Sequence, residues 1–264
     1  MWFFFLVWYS DIGLEEGGSG KAYMARTGVF RELDAAMGGH PEAMWAVRTR
    51  PSLACCTIRY SFDGRAAHAS KAELGRSALD AVELMNIAVN FLREHIPGDQ
   101  RVHYAITDTG GTAPNVVQAH AVIKYEVRAP KTSQAQELFT RVVDIAKGAA
   151  LMTDTSVTWR QIDGTASTVS NNVIENVLHA NMEAAPLPQY TDDEIVYAKQ
   201  LRATYDTSKL PGTRTYDDVK VKKFMLEATE NGTKPINDFV VIHTPCNPFS
   251  PGSTDVGDVS WLTP

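Results

Sequence analysis

Glu15 and Glu16 stand immediately before Gly17-Gly18-Ser19-Gly20-Lys21, and His40-Pro41 follows one short helix later. Acidic and imidazole groups in that order suit a hydrolytic metal site, where a divalent ion acidifies a water and a nearby carboxylate takes its proton. In that reading Glu16 and His40 are ligands. Glu15 is the base that accepts the proton and returns it to the leaving amine. Adjacent side chains can point to opposite sides of a site, which fits one ligand beside one base. Plainer readings stand next to this one. Acids at a helix N-terminus interact favourably with its dipole by about 0.3–1 kcal/mol each, and a single loop histidine is often a surface residue. A catalytic zinc generally takes three protein ligands plus an open position, and Glu16 and His40 are two.

Gly18-Ser19-Gly20-Lys21 also looks superficially like a phosphate-cradling loop. That motif requires a glycine where this chain has Glu15 and a hydroxyl residue where it has Ala22. A carboxylate pair at the mouth would repel phosphate, so the reading is rejected.

Three further residues could handle a substrate. His68 lies in Gly64-Arg65-Ala66-Ala67-His68-Ala69-Ser70, among small neighbours that permit close approach of another surface. A histidine there could donate to a developing oxyanion; the alternative is a polar residue beside a helix. Asn115 follows Gly110-Gly111-Thr112-Ala113-Pro114, and Arg128 ends a predicted strand. Both could grip a carboxylate, arginine in two-pronged fashion; a turn residue and a solvated strand end are the alternatives. His95, His103, His120, His179 and His243 have no evident partners and are read as structural. Asn231-Gly232-Thr233 matches a glycosylation sequon, which carries no force without secretion.

The elements that must position these residues follow from periodicity. Residues 16–36 read as a helix. Leu53–Phe62 reads as a strand, and Ser77–His95 places apolar residues at helical spacing before Pro97-Gly98. Val102–Thr107 and Val116–Val127 read as strands, Ala135–Met152 as a helix and Ser156–Ile162 as a strand. The order β-α-β-β-α-β is that of a ferredoxin-like split βαβ unit, an antiparallel sheet with both helices on one face. Helices are expected near 172–184, 191–205 and 217–230, and Phe239–Ile242 reads as a buried parallel-type strand. The expected organisation is an α/β fold in three pieces: 1–51 and 166–264 as parts of one catalytic domain, and 52–165 as a ferredoxin-like α+β insert.

Composition narrows the function. A formal net charge of −6 without a clustered Lys/Arg stripe argues against a nucleic-acid partner. The aromatic run Trp2–Tyr9 is too short for a bilayer, which takes roughly 20 apolar residues, and it lacks the marks of a signal peptide. A buried strand leading to Glu15 is expected there, with no membrane partner. Three cysteines, two adjacent and one distant, suggest reduced thiols and a cytoplasmic setting.

Together these segments resemble the metallo-amidohydrolases that include aminoacylase, carboxypeptidase G and the auxin-conjugate amidohydrolases. The resemblance is carried by Glu15–Lys21, His40-Pro41, Gly64–Ser70, Gly75–Ala81, Leu92–His95, His103–Thr107, Gly110–Val117, Tyr125–Pro130, Gly148–Thr153 and Ser253–Trp261. It implies a two-metal zinc-peptidase-like catalytic domain interrupted by a lid that also forms the dimer interface. It further implies Glu15 as general base, Glu16 and His40 as ligands to manganese or zinc, and His68 as a group reaching into the partner subunit's site. Asn115 and Arg128 match lid positions that hold the substrate carboxylate; Asp255 borders the active site without an assigned role.

The expected substrate is a small N-acyl or N-aroyl amino acid such as a glutamate conjugate. The expected assembly is a homodimer, with a second kind of subunit possible. The chain departs from the family pattern: no Cys-Gly-His-Asn or Cys-Gly-His-Asp motif precedes Glu15, and no ligand histidine follows Trp261. The expectation is an incomplete member with low or no hydrolysis. The alternative is a non-catalytic dimerisation and carboxylate-binding module.

Overall fold

The computed structural model describes residues 19–39, 44–204, 218–244 and 252–264. The aromatic N-terminal run, Glu15, Glu16, His40 and Cys246 lie outside these residues. The described residues fall into two compact units. The first comprises 19–36, 51–169 and 252–263; the second comprises 37–39, 44–50, 170–204, 218–244 and 264.

The first unit is built on β1 (Ala54–Asp63), α2 (Ala78–Glu94), β3 (Arg101–Asp108), β5 (His120–Ala129), α3 (Thr132–Met152) and β6 (Ser156–Thr165), preceded by α1 (Gly20–Thr27). The strands form one antiparallel sheet in the order β3-β5-β1-β6. This is the split βαβ arrangement that the element order predicts. Strand alternation explains the layering. Ala54, Cys56, Ile58, Tyr60 and Phe62 of β1 are buried in one core with Val82, Met85 and Val89 of α2 and Leu138, Val142 and Ala146 of α3. Apolar positions three and four apart give each helix a stripe that the sheet covers. Fully burying a side chain of this size contributes about 1.5–3 kcal/mol, so this layer dominates the unit's stability. Tyr60 and Tyr125 meet edge to face at 5.9 Å, and the Tyr125 hydroxyl donates to Asn86 Oδ1 inside the core. The opposite face of the sheet carries Thr57, Arg59 and Ser61 of β1, on the side away from both helices.

Two expectations are corrected here. The single strand predicted over Val116–Val127 is two: β4 (Val116–Val117), which pairs with β2 (Ala67–His68), and β5. The break lies at Gln118 and Ala119, whose carbonyls leave the ladder to accept from Ala78 N and Gly64 N, both at 2.8 Å. The helix predicted over 16–36 covers only Gly20–Thr27 among the described residues. Gly28, at φ 86°, turns the chain left-handed and donates its N–H back to the last turn, which glycine does without steric penalty.

The second unit carries α4 (Asn172–Ala184), α5 (Asp192–Arg202) and α6 (Val219–Ala228), close to the predicted helices. Val221, Met225 and Val241 form its small core. Phe239–Ile242 makes one parallel bridge, Trp45 to Val240, in place of a full strand. No helix of the described residues is long and apolar enough to cross a membrane.

Candidate functional site

The residues read from the sequence as candidates for substrate handling fall at separate places in the first unit. At one, β2 pairs His68 with Val116, and Ala69 N donates to the Asn115 carbonyl at 2.9 Å. His68 and Asn115 are thereby fixed side by side at an exposed tip. Gly110 shapes this tip. Its φ of +80° is left-handed, and a Cβ there would lie 2.1 Å from the His120 carbonyl oxygen.

His68 is oriented by its own helix. It caps the 3-10 turn Ala69–Leu74, with Nδ1 accepting from Ser70 N at 3.2 Å and lying 2.9 Å from Ser70 Oγ. A ring nitrogen that accepts from a backbone N–H bears a lone pair, so in the neutral ring the proton is on Nε2. Nε2 is therefore the donor that the exposed side chain presents, as an oxyanion contact requires.

Arg128 is at the other. It lies eight residues along β5 from His120, about 26 Å at 3.3 Å per residue. Its Nε donates to Glu126 Oε1 at 2.6 Å, and both side chains are about two-thirds buried. Opposite Arg128 on β1 is Cys55. Burial pushes that thiol up to about 12, with Glu126 adding to the rise and Arg128 opposing it. Cys55 and Cys56 are both buried free thiols; Cys55 holds its proton and is no nucleophile. The structure thus brings His68 and Asn115 together and keeps Arg128 a sheet length away.

Glu15 and Glu16 lie outside the described residues, but the helix that follows them is firmly anchored. Asp255 accepts from Lys21 N at 2.8 Å and from Lys21 Nζ at 3.1 Å. Ser19 Oγ donates to Asp163, at the end of β6. Asp258, in the short helix α7 (Val256–Ser260), accepts from Ala166 N at 3.2 Å, and burial raises its pKa. Sequence spacing assigned none of these three carboxylates. Their partners are 234, 144 and 92 residues away, and no local pattern points to them.

In the second unit, His179 and His243, read as partnerless, face each other at 5.5 Å between ring centroids, with Glu175 3.9 Å from His243. Burial and then His179 lower the His243 pKa, and burial raises that of Glu175. No three His, Cys, Asp or Glu among the described residues are placed to hold a metal ion.

Residues 49–154 match the peptidase dimerisation domain. Among particular relatives, the chain is 42% identical over 255 residues to one of the subunits of p-aminobenzoyl-glutamate hydrolase from Escherichia coli, covering 95% of this chain and 52% of that one. It is 32% identical over 144 residues to the Xaa-Arg dipeptidase of Mus musculus, covering 54% of this chain and 33% of the relative. A solved aminobenzoyl-glutamate utilization protein from Klebsiella pneumoniae superposes with a TM-score of 0.48 at 25% identity, over 62% of this chain and 43% of the other. The chain spans about half the length of the first relative, and less of the others.

Proposed function

We propose that this chain carries the lid and part of the catalytic framework of a metal-dependent amidohydrolase. Its substrates are amides between an acyl or aryl group and an amino acid such as glutamate, and it dimerises through the lid. The observation that carries this reading is the 42% identity, over 95% of the chain, to a hydrolase named for p-aminobenzoyl-glutamate.

The lid residues have distinct roles in this reading. Arg128, steadied by Glu126, binds the substrate carboxylate. His68 donates from Nε2 to the oxyanion, and Asn115 beside it holds the substrate. Arg128 lies about 26 Å along β5 from His120, and the His68–Asn115 tip joins the sheet at the His120 end, where Gly64 N donates to the Ala119 carbonyl, so one lid does not bring both to one small molecule. Two copies can, each lending its tip to the other's site, which supports a homodimer.

Glu15 is the base, and Glu16 and His40 are ligands for manganese or zinc. The described residues offer no metal site of their own, and two ligands fall short of the three that hydrolytic zinc sites use. We therefore assign this chain low hydrolytic turnover by itself. The intact tip and the Arg128–Glu126 pair favour a second reading, a dimerisation and carboxylate-binding module without chemistry.

One experiment separates the two. Purified chain is dialysed against micromolar manganese or zinc, its metal content is measured, and release of glutamate from p-aminobenzoyl-glutamate is followed. Stoichiometric metal with steady release supports the hydrolase and contradicts low turnover. Binding of the conjugate without metal or release supports the module. Neither binding nor release overturns both.

A further inference from the structure

The open face of the lid sheet carries an unbalanced row of cations. The strand register sets Lys124 of β5 directly opposite Arg59 of β1, and Arg59 directly opposite Arg160 of β6. The fourth position, on β3, is Ala105. Strands lie about 4.8 Å apart, so three positive charges stand in a file about 10 Å wide. All three side chains are exposed. They point away from the helices, since Ile58, Tyr60, Ile123 and Tyr125 on the alternate positions fill the core.

Like charges directly opposite on neighbouring strands are destabilising, and the carboxylates of this face are engaged elsewhere. Glu126 is paired with Arg128 at 2.6 Å and Asp63 with His120 at 2.6 Å. Asp163 accepts from Ser19 Oγ and from Gly164 N. The side chains of Arg59, Lys124 and Arg160 have no hydrogen-bond or ion-pair partner among the described residues. The file also runs against the chain's net charge of −6.

We propose that Lys124, Arg59 and Arg160 form a binding site for an oligo-carboxylate, the acidic extension of a conjugate carrying several consecutive glutamates. Arg128 lies on the same face, four residues or about 13 Å along β5 from Lys124, and an extended acidic chain a few residues long covers that distance. The commitment to this occupant rests on the amidohydrolase reading above; the anion site itself rests on the register and the charges alone.

The test is fluorescence anisotropy with labelled p-aminobenzoyl-triglutamate and p-aminobenzoyl-monoglutamate, at low and high salt, with inorganic polyphosphate as competitor. Variants are Arg59→Gln, Lys124→Gln and Arg160→Gln, singly and together. The triglutamate is expected to bind more tightly than the monoglutamate. Each single variant should lose about two- to fivefold for the triglutamate alone, and the triple variant roughly tenfold or more, with the loss shrinking as salt rises. Melting temperatures should hold or rise, because repulsion is relieved. If the monoglutamate fails to bind while the triglutamate binds with the same dependence on the three cations, the amidohydrolase reading falls and the anion site stands. Equal affinities for both probes, an unaffected triple variant, or a melting temperature lowered by any single variant overturns the site. Binding of polyphosphate with no binding of triglutamate overturns the carboxylate assignment.

Discussion

Asp255 and Lys21, separated by 234 residues, are joined twice: the carboxylate accepts from the Lys21 backbone N–H at 2.8 Å and from its ammonium at 3.1 Å. The first bond satisfies an orphan donor in the opening turn of α1 and places negative charge at its positive end. The second is a partly exposed ion pair. The helix that directly follows the Glu15-Glu16 stretch is thus held by the Ser253–Trp261 motif near the other end of the chain.

Removing the carboxylate in Asp255→Ala should therefore destabilise the first unit by about 1–2 kcal/mol, the range for losing a helix-capping acceptor. Lys21→Met keeps the backbone bond and should lose less than about 1 kcal/mol. Urea unfolding of the two variants checks the order; equal losses would contradict it.

The neutral ring of His68 should carry its proton on Nε2, because Nδ1 accepts from Ser70 N–H. Nitrogen chemical shifts of the neutral imidazole report the tautomer directly. A dominant Nδ1–H form would contradict the assignment and remove His68 as an outward donor.

The Cys55 thiol predicts a loss of stability in alkali. Its pKa is raised from 9.0 to about 12, chiefly by burial, so the folded chain holds this proton more tightly than the unfolded one. The stability it contributes is complete below pH 9 and is lost as pH climbs from 9 toward about 12. Urea midpoints across that window should fall less steeply in Cys55→Ala than in the parent. Parallel curves would contradict the account.

Gly110→Ala would place a Cβ 2.1 Å from the His120 carbonyl at a φ of +80°. Strain of this kind costs about 1–3 kcal/mol, and it falls on the loop that carries Asn115. Thermal unfolding should register the loss, with the amide signals of Asn115 and Ala69 moving together. An unchanged melting temperature would show the tip to be more pliable than its geometry implies.

The lid was the legible part of this chain. Ile58, Tyr60 and Phe62 alternate, and Val82, Met85 and Val89 recur at three and four, so period alone separates strand from helix and yields the split βαβ order. Its finer breaks were not legible. The carbonyls of Gln118 and Ala119 leave the ladder for partners at Ala78 and Gly64, which no local propensity encodes. His68 and Asn115 were singled out by small neighbours and turn residues, but their adjacency depends on the two-residue pairing of β2 with β4. Asp163, Asp255 and Asp258 carry no local signal, since each acts on a residue distant in the chain. The three-cation file was likewise invisible along the sequence, because Arg59, Lys124 and Arg160 come together only through the register.

The mass of the chain in solution tests the central claim most directly, because in the proposed function a paired lid brings Arg128 of one copy toward His68 and Asn115 of another. Sedimentation equilibrium at micromolar concentration should give twice the 29.0 kDa chain mass. A single species at 29.0 kDa across that range would contradict the shared site and leave the two ends of the lid without a common substrate.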